Sequence, residues 1–211
     1  MYGYAKDDSD YDFVAYVFPR KEDLVSSVVV SEEMRFEEDY LDSVKVKDFR
    51  TLYKDLTKPS FNSLHLLTEP VYVDKKHSLE NLLNKETVED YFKLNKKNLL
   101  FSLAGTYHSH LEKYGNKYEY DKENARLFYL YCMFDRVFAD DYRVFLDSAQ
   151  GYRKRHPYNI KSGFVMSEEL RLKAATFPGV SFETAELYKY EANVELKNVL
   201  MEAFKNDFFF G

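Results

Sequence analysis

The run Ser9-Asp10-Tyr11-Asp12, followed at once by Phe13-Val14-Ala15-Tyr16-Val17-Phe18, constrains this chain more than any other feature. The aromatic and β-branched run reads as a strand. In an extended chain alternate side chains share a face, so Asp10 and Asp12 project to the same side, about 6.5 Å apart along the backbone. Two carboxylates so placed can share divalent cations. Hard oxygen ligands suit Mg²⁺, which keeps several waters and is completed by substrate phosphates, so the motif points toward phosphoryl chemistry.

The 211 residues are 45% hydrophobic, with 19 Tyr and 18 Phe, enough to build a sizeable core in one large or two small domains. Thirty Lys and Arg against 36 Asp and Glu give a net charge of −6, which excludes a general basic coat for nucleic acid and leaves room for a local basic patch. Cys132 is the single cysteine and has no internal disulfide partner. No apolar run approaches the roughly 20 residues that span a bilayer. Met1 to Asp12 is polar and acidic, unlike a secretory leader. A reducing, cytoplasmic location without a membrane partner is expected.

Along the chain, Pro19 and the polar stretch Arg20 to Asp23 lead into a short helix, and Ser26 to Val30 reads as strand material. Val44 to Asp48 reads as a second strand. Phe49, Leu52, Tyr53 and Leu56 fall at helical spacing up to Pro59, and a further short helix covers Phe61 to Leu67. Val71-Tyr72-Val73 closes this half as a last strand. Beyond it, apolar spacings of three and four take over. Helices are expected over Asn95 to Tyr114, over Asp121 to Phe138 with Asp121 as N-cap, from Ser167-Glu168-Glu169 onward, and over Ser181 to Phe204 after the breaker Phe177-Pro178-Gly179. The reading is α+β: a small mixed sheet with helices over residues 1–77, then an all-helical domain over 78–211.

The N-terminal string Tyr2-Gly3-Tyr4-Ala5-Lys6-Asp7-Asp8-Ser9-Asp10-Tyr11-Asp12 resembles the signature of the DNA polymerase beta-like nucleotidyltransferases, in the branch called predicted nucleotidyltransferases, where Gly-Ser-x-x-Tyr-Gly and a polar loop precede Ser-Asp-Tyr-Asp. The similarity continues through Val44 to Arg50 and through the turn Lys58-Pro59-Ser60-Phe61-Asn62. More loosely, Asn124 to Phe138 resembles the family's helical hallmark and Lys161-Ser162-Gly163 its Arg-Asn-Gly turn. The phosphate-holding Gly-Ser pair is missing. Met1 is therefore expected to be an internal methionine, with a native first strand and helix preceding it and a sheet edge left open to self-association. His65 stands where the family pattern has glutamate.

The resemblance implies attack of a hydroxyl on the α-phosphorus of a nucleoside triphosphate, with Asp10 and Asp12 ligating two Mg²⁺ ions. A third carboxylate comes from a neighbouring strand, either Asp42, at the entry to Val44 to Asp48, or Asp48 itself. The acceptor is an RNA end, a protein hydroxyl or a small molecule. Ser9 is either a phosphate donor or a turn former. Lys45 and Lys47, on one strand face, either contact the triphosphate or guard a sheet edge. Arg153-Lys154-Arg155-His156 between Tyr152 and Tyr158 either holds phosphates, Arg155 foremost, or is a solvated helix end. His108 and His110 fall on different helix faces, against a joint metal site, and Cys132 reads as a small buried hydrophobe. Two rival functions remain open: a catalytically silent nucleotide- or partner-binding protein of the same fold, and an antitoxin-like or phage-encoded interaction module.

Overall fold

In the computed structural model of the chain, the described residues are 11–27, 29, 31–38, 41–68, 85–114, 121–143 and 160–209. Strand β1, Tyr11–Val17, carries the aromatic and β-branched run, and a short helix α1, Lys21–Val25, comes after it. Strands β2, Ser31–Glu38, and β3, Leu41–Asp48, complete a three-stranded sheet in the order β1-β3-β2. β1 and β3 run parallel, whereas β2 and β3 run antiparallel. The sheet is thus small and mixed, and every described element beyond β3 is helical.

Two local expectations change here. Of the expected strand Ser26 to Val30, the described residues Ser26, Ser27 and Val29 are outside any strand. The Ser26 hydroxyl donates back to the Glu22 carbonyl at 2.7 Å, and Ser27 sits at φ 57, which turns the chain out of α1. The strand comes next, over a segment so rich in glutamate that its own composition hides it. Its ladder is set by β3, which places Glu33 opposite Lys45, a favourable cross-strand charge pair. The second change concerns β3, which is the central strand of the described sheet rather than an edge. Lys45 and Lys47 therefore do not protect an edge there.

After β3 the chain tightens into a 3₁₀ turn, Phe49–Thr51, and helix α2, Leu52–Thr57, whose apolar positions Leu52 and Leu56 are fully buried. Helix α3, Phe61–Thr68, is opened by a reciprocal cap in which the Ser60 hydroxyl accepts from Ser63 N at 3.3 Å and Ser60 N donates to Ser63 Oγ at 3.1 Å. The Lys-Pro-Ser-Phe-Asn turn is thus a helix entry. The strand expected at Val71 to Val73 and the boundary near His77 lie outside the described residues.

The helical part begins with α4, Lys85–Leu94, separated by the single residue Asn95 from α5, Lys96–Tyr114. Helix α6, Asp121–Phe138, has Asp121 as its first residue rather than as a cap. Helix α7 spans Ile160–Thr176, so Ser167 lies mid-helix instead of opening it, and Lys161-Ser162-Gly163 forms its first turn instead of a loop. A buried serine satisfied from another helix does not stop helix propagation. Phe177-Pro178-Gly179 breaks the chain as its residues dictate, and the Ser181 hydroxyl then accepts from Thr184 N at 3.2 Å to cap α8, Phe182–Phe209. One continuous core runs from Phe49 and Leu52 through Phe92, Leu103, Leu130 and Phe134 to Leu196 and Val199.

Candidate functional site

The carboxylate strand pairs with the strand that carries Asp42. In the β1–β3 ladder Tyr11 is the partner of Leu41 and Asp12 is the partner of Ser43, so one step on β1 spans two on β3 and Asp42 is the extra residue at the slip. Neighbouring strands lie about 4.8 Å apart, so the backbones of Asp12 and Asp42 run side by side. Their side chains, and the whole of Ser9, Asp10 and Arg155, lie outside the described residues. Among the described residues no three His, Cys, Asp or Glu side chains are grouped to hold a metal.

Asp48 lies away from Asp12. Its ladder partner is Val17, five residues along β1 from Asp12, or about 16 Å. Its carboxylate is also already committed. Oδ1 accepts from Arg50 N at 2.8 Å, capping the 3₁₀ turn, and from Arg50 Nε at 2.9 Å, while Oδ2 takes Arg50 Nη2 at 2.6 Å. The side chain is fully buried. Asp48 is a cap and a charge partner.

Lys45 is exposed, with Val14 as its β1 partner. Lys47, two residues on, has a different fate. Its ammonium is 3.2 Å from Asp55 Oδ2 and 5.4 Å from the centroid of the Tyr16 ring. Asp55 also accepts from the Tyr16 hydroxyl and, through Oδ1, from Ser63 Oγ at 3.2 Å. This network ties β1 and β3 to α2 and α3, and burial together with Asp55 holds the Tyr16 hydroxyl protonated by raising its pKa. Sequence reading missed Asp55. No local signal pointed to it, because Tyr16 and Lys47 are brought side by side only by the β1–β3 register.

His65 lies on α3, stacked on Tyr129 with ring centroids 5.6 Å apart and edge-on to Phe61 at 4.6 Å. Its Nε2 is 3.3 Å from the Tyr129 hydroxyl. Burial, reinforced by Arg126, lowers its pKa to about 4, so the ring is neutral where the family pattern has a charged glutamate. The two histidines of α5 diverge as their spacing requires. His110 Nε2 is 2.7 Å from Glu123 Oε2 in the α5–α6 interface, and burial lowers its pKa. His108 Nδ1 is 3.0 Å from Ser167 Oγ and its Nε2 3.4 Å from Glu112.

The Ser167-His108-Glu112 row has the residue types of a hydrolase relay. Its serine is fully buried in mid-helix, where backbone N–H groups are consumed by the helix and none is left for an oxyanion. It is a packing contact between α5 and α7. Cys132 on α6 is half-buried, and burial pushes its thiol up to about 12, which makes it a poor nucleophile. Among the described residues no helix is long and apolar enough to cross a membrane. Compared with models of known protein families, with curated proteins and with solved structures, the chain matches none.

Proposed function

We propose that this protein is a Mg²⁺-dependent nucleotidyltransferase that moves a nucleoside monophosphate from a nucleoside triphosphate to a hydroxyl acceptor on RNA, protein or a small molecule. The observation that carries the reading is the parallel β1–β3 register, which pairs the Asp12 strand with the Asp42 strand at the end where the Ser-Asp-Tyr-Asp motif stands. Asp10, Asp12 and Asp42 are the residues that would hold the metal. Mg²⁺ bound there would acidify the attacking hydroxyl and neutralise charge on the triphosphate. Lys45, exposed on the central strand, is suited to the triphosphate, as are Ser9 and Arg155. In the reaction the acceptor oxygen bonds to the α-phosphorus, the α–β bridging bond breaks, pyrophosphate leaves, and the acceptor proton passes to solvent.

Transfer of α-labelled nucleoside triphosphate with Mg²⁺, offering cell extract as acceptor, tests this. Label is expected in one acceptor fraction and is expected to fall to background in the Asp10→Asn, Asp12→Asn double variant. Transfer that survives in that variant, or that follows a γ-label instead, would refute the assignment. Mg²⁺-dependent nucleotide retention without any transfer would identify the catalytically silent binding protein instead.

A further inference from the structure

We infer that α8 is a self-association helix, through which two copies of this chain pair antiparallel as a symmetric dimer. The helix has 28 residues, about 42 Å of length, and its described side chains bury one apolar stripe. Tyr188, Ala192, Leu196 and Val199 are buried on that stripe. The Tyr188 hydroxyl donates to the Leu56 carbonyl of α2 at 3.1 Å, and Glu195 accepts from the Tyr91 hydroxyl of α4 at 2.6 Å. At 100° per residue, a second apolar series, Leu187, Tyr190, Val194 and Met201, lies roughly opposite the first. Its members are exposed by 59, 67, 37 and 56%. Their spacings of three, four and seven are those of a heptad seam, with Lys197 at the remaining seam position. A surface helix with a single contact needs one such stripe. Two opposed stripes are the pattern of a helix held between two surfaces.

Charge selects the second surface. Glu183 and Glu191 flank the N-terminal half of the seam, as does Glu186, which pairs with Lys189 at 2.5 Å, whereas Lys197 and Lys205 lie on and beside its C-terminal half, with Glu202 further round the helix. Parallel pairing of two copies would lay like charge on like. Antiparallel pairing lays the acidic half of each copy along the basic half of the other, and a two-fold axis near Val194 makes that match twice. Tyr190 and Lys197 are nearly equidistant from that axis, so each Lys197 meets the other copy's Tyr190 ring, a favourable cation–π contact. The seam is therefore complementary to itself. A contact of one helix per copy is small, so the dimer is weak and concentration-dependent.

Sedimentation over a concentration series tests the inference, with circular dichroism checking that each variant keeps its helix content. The mass is expected to rise from one chain to two with concentration, and Leu187→Asp is expected to weaken dimerisation by about tenfold or more. Two charge variants are decisive. A chain with Lys197→Glu and Lys205→Glu, and a chain with Glu183→Lys, Glu186→Lys and Glu191→Lys, are each expected to be monomeric alone and to pair when mixed. For orientation, in a Cys132→Ala background, a short bismaleimide is expected to join Leu187→Cys chains to Met201→Cys chains and neither to itself. A single-chain mass throughout the high micromolar range would overturn the proposal. So would a dimer indifferent to Leu187→Asp and to the charge variants, which would place the contact elsewhere, for instance on the edge of the sheet. Self-linking of Leu187→Cys would overturn the antiparallel arrangement.

Discussion

Burial leaves His65 neutral at pH 7, and this makes stability depend on pH in a definite direction. Its folded pKa is about 4 against 6.5 for the free side chain, with burial as the first cause and Arg126 contributing. Between those values the unfolded chain binds a proton that the folded chain does not. The sign is therefore that of stability rising with pH: the contribution is complete above about 6.5 and is lost as the pH falls toward 4. The full span corresponds to about 3 kcal/mol. Denaturant unfolding of His65→Gln between pH 4 and 7 is expected to show a shallower pH dependence than wild type, by up to one proton. Equal slopes would mean that the ring is protonated inside the fold. Asp48 gives a second residue-level expectation. It is fully buried, caps the 3₁₀ turn and binds the Arg50 guanidinium through both oxygens, while Arg50 keeps some access to water. Asp48→Ala loses the cap and the pair together and is expected to cost about 2–3 kcal/mol. Asp48→Asn, which retains an acceptor for Arg50 N, is expected to cost about half as much. If Asp48→Ala instead left stability unchanged, the cap and the Arg50 pair would contribute nothing to folding.

At the scale of elements, the helical part is fastened at its ends as well as along its faces. Lys96, in the first turn of α5, is nearly buried, and its ammonium donates to the Phe138 carbonyl at the end of α6 at 2.7 Å. The same group is 3.1 Å from Asp140 and 4.8 Å from the centroid of the Phe177 ring, just past α7. One side chain thus gathers the ends of three helices, and its positive charge suits the C-terminal pole of α6. Lys96→Met keeps the aliphatic stem and removes the donor, leaving the Phe138 carbonyl and Asp140 without it. The expected loss is about 2–3 kcal/mol in urea unfolding, with the part due to the Phe138 carbonyl insensitive to salt because Lys96 is nearly buried, while the part due to Asp140, which is 56% exposed, is screened. A loss that vanished entirely at high salt would mean that the carbonyl contact is solvated too. The sequence places Lys96 at a helix start, where a basic residue is unfavourable. Its role is invisible there because all three of its partners come from beyond its own helix.

At the scale of the molecule, α8 returns to the first half of the chain, with Tyr188 bonded to the Leu56 carbonyl and Leu52 and Leu56 in the same core as Leu196 and Val199. Tyr188→Phe is expected to cost about 1 kcal/mol, the net value of one buried hydrogen bond. Deleting residues 182–211 exposes Leu52 and Leu56 and is expected to destabilise the whole chain, read as a single lowered unfolding transition. Loss of helix signal alone, with the transition unmoved, would show that α8 contributes no stability to the rest. The elements legible in the sequence were those written into short-range pattern. They include the strand from Tyr11, the Val44 to Asp48 ladder, the helices around Leu52, Phe61, Leu103 and Leu130, and the breaker at Phe177-Pro178-Gly179. Side-chain period and the fixed φ of proline act within a few residues, so no distant partner is needed to read them. The glutamate-rich strand β2, the central place of β3, the commitment of Lys47 to Asp55 and of Asp48 to Arg50, and the burial of Ser167 in mid-helix were decided by the tertiary structure. For β2, the position of β3, Lys47 and Ser167, the deciding partner lies eight to about sixty residues away or on another strand, where local pattern carries no information. Arg50 is near in sequence, but its pairing with Asp48 depends on the burial that removes the competing water. The sequence by itself determined which segments extend and which coil, and it put the carboxylate of Asp12 on the first strand. The fold alone decided that the backbone of Asp42, and not that of Asp48, runs beside Asp12, because that placement rests on the register of a strand pair whose members are thirty residues apart.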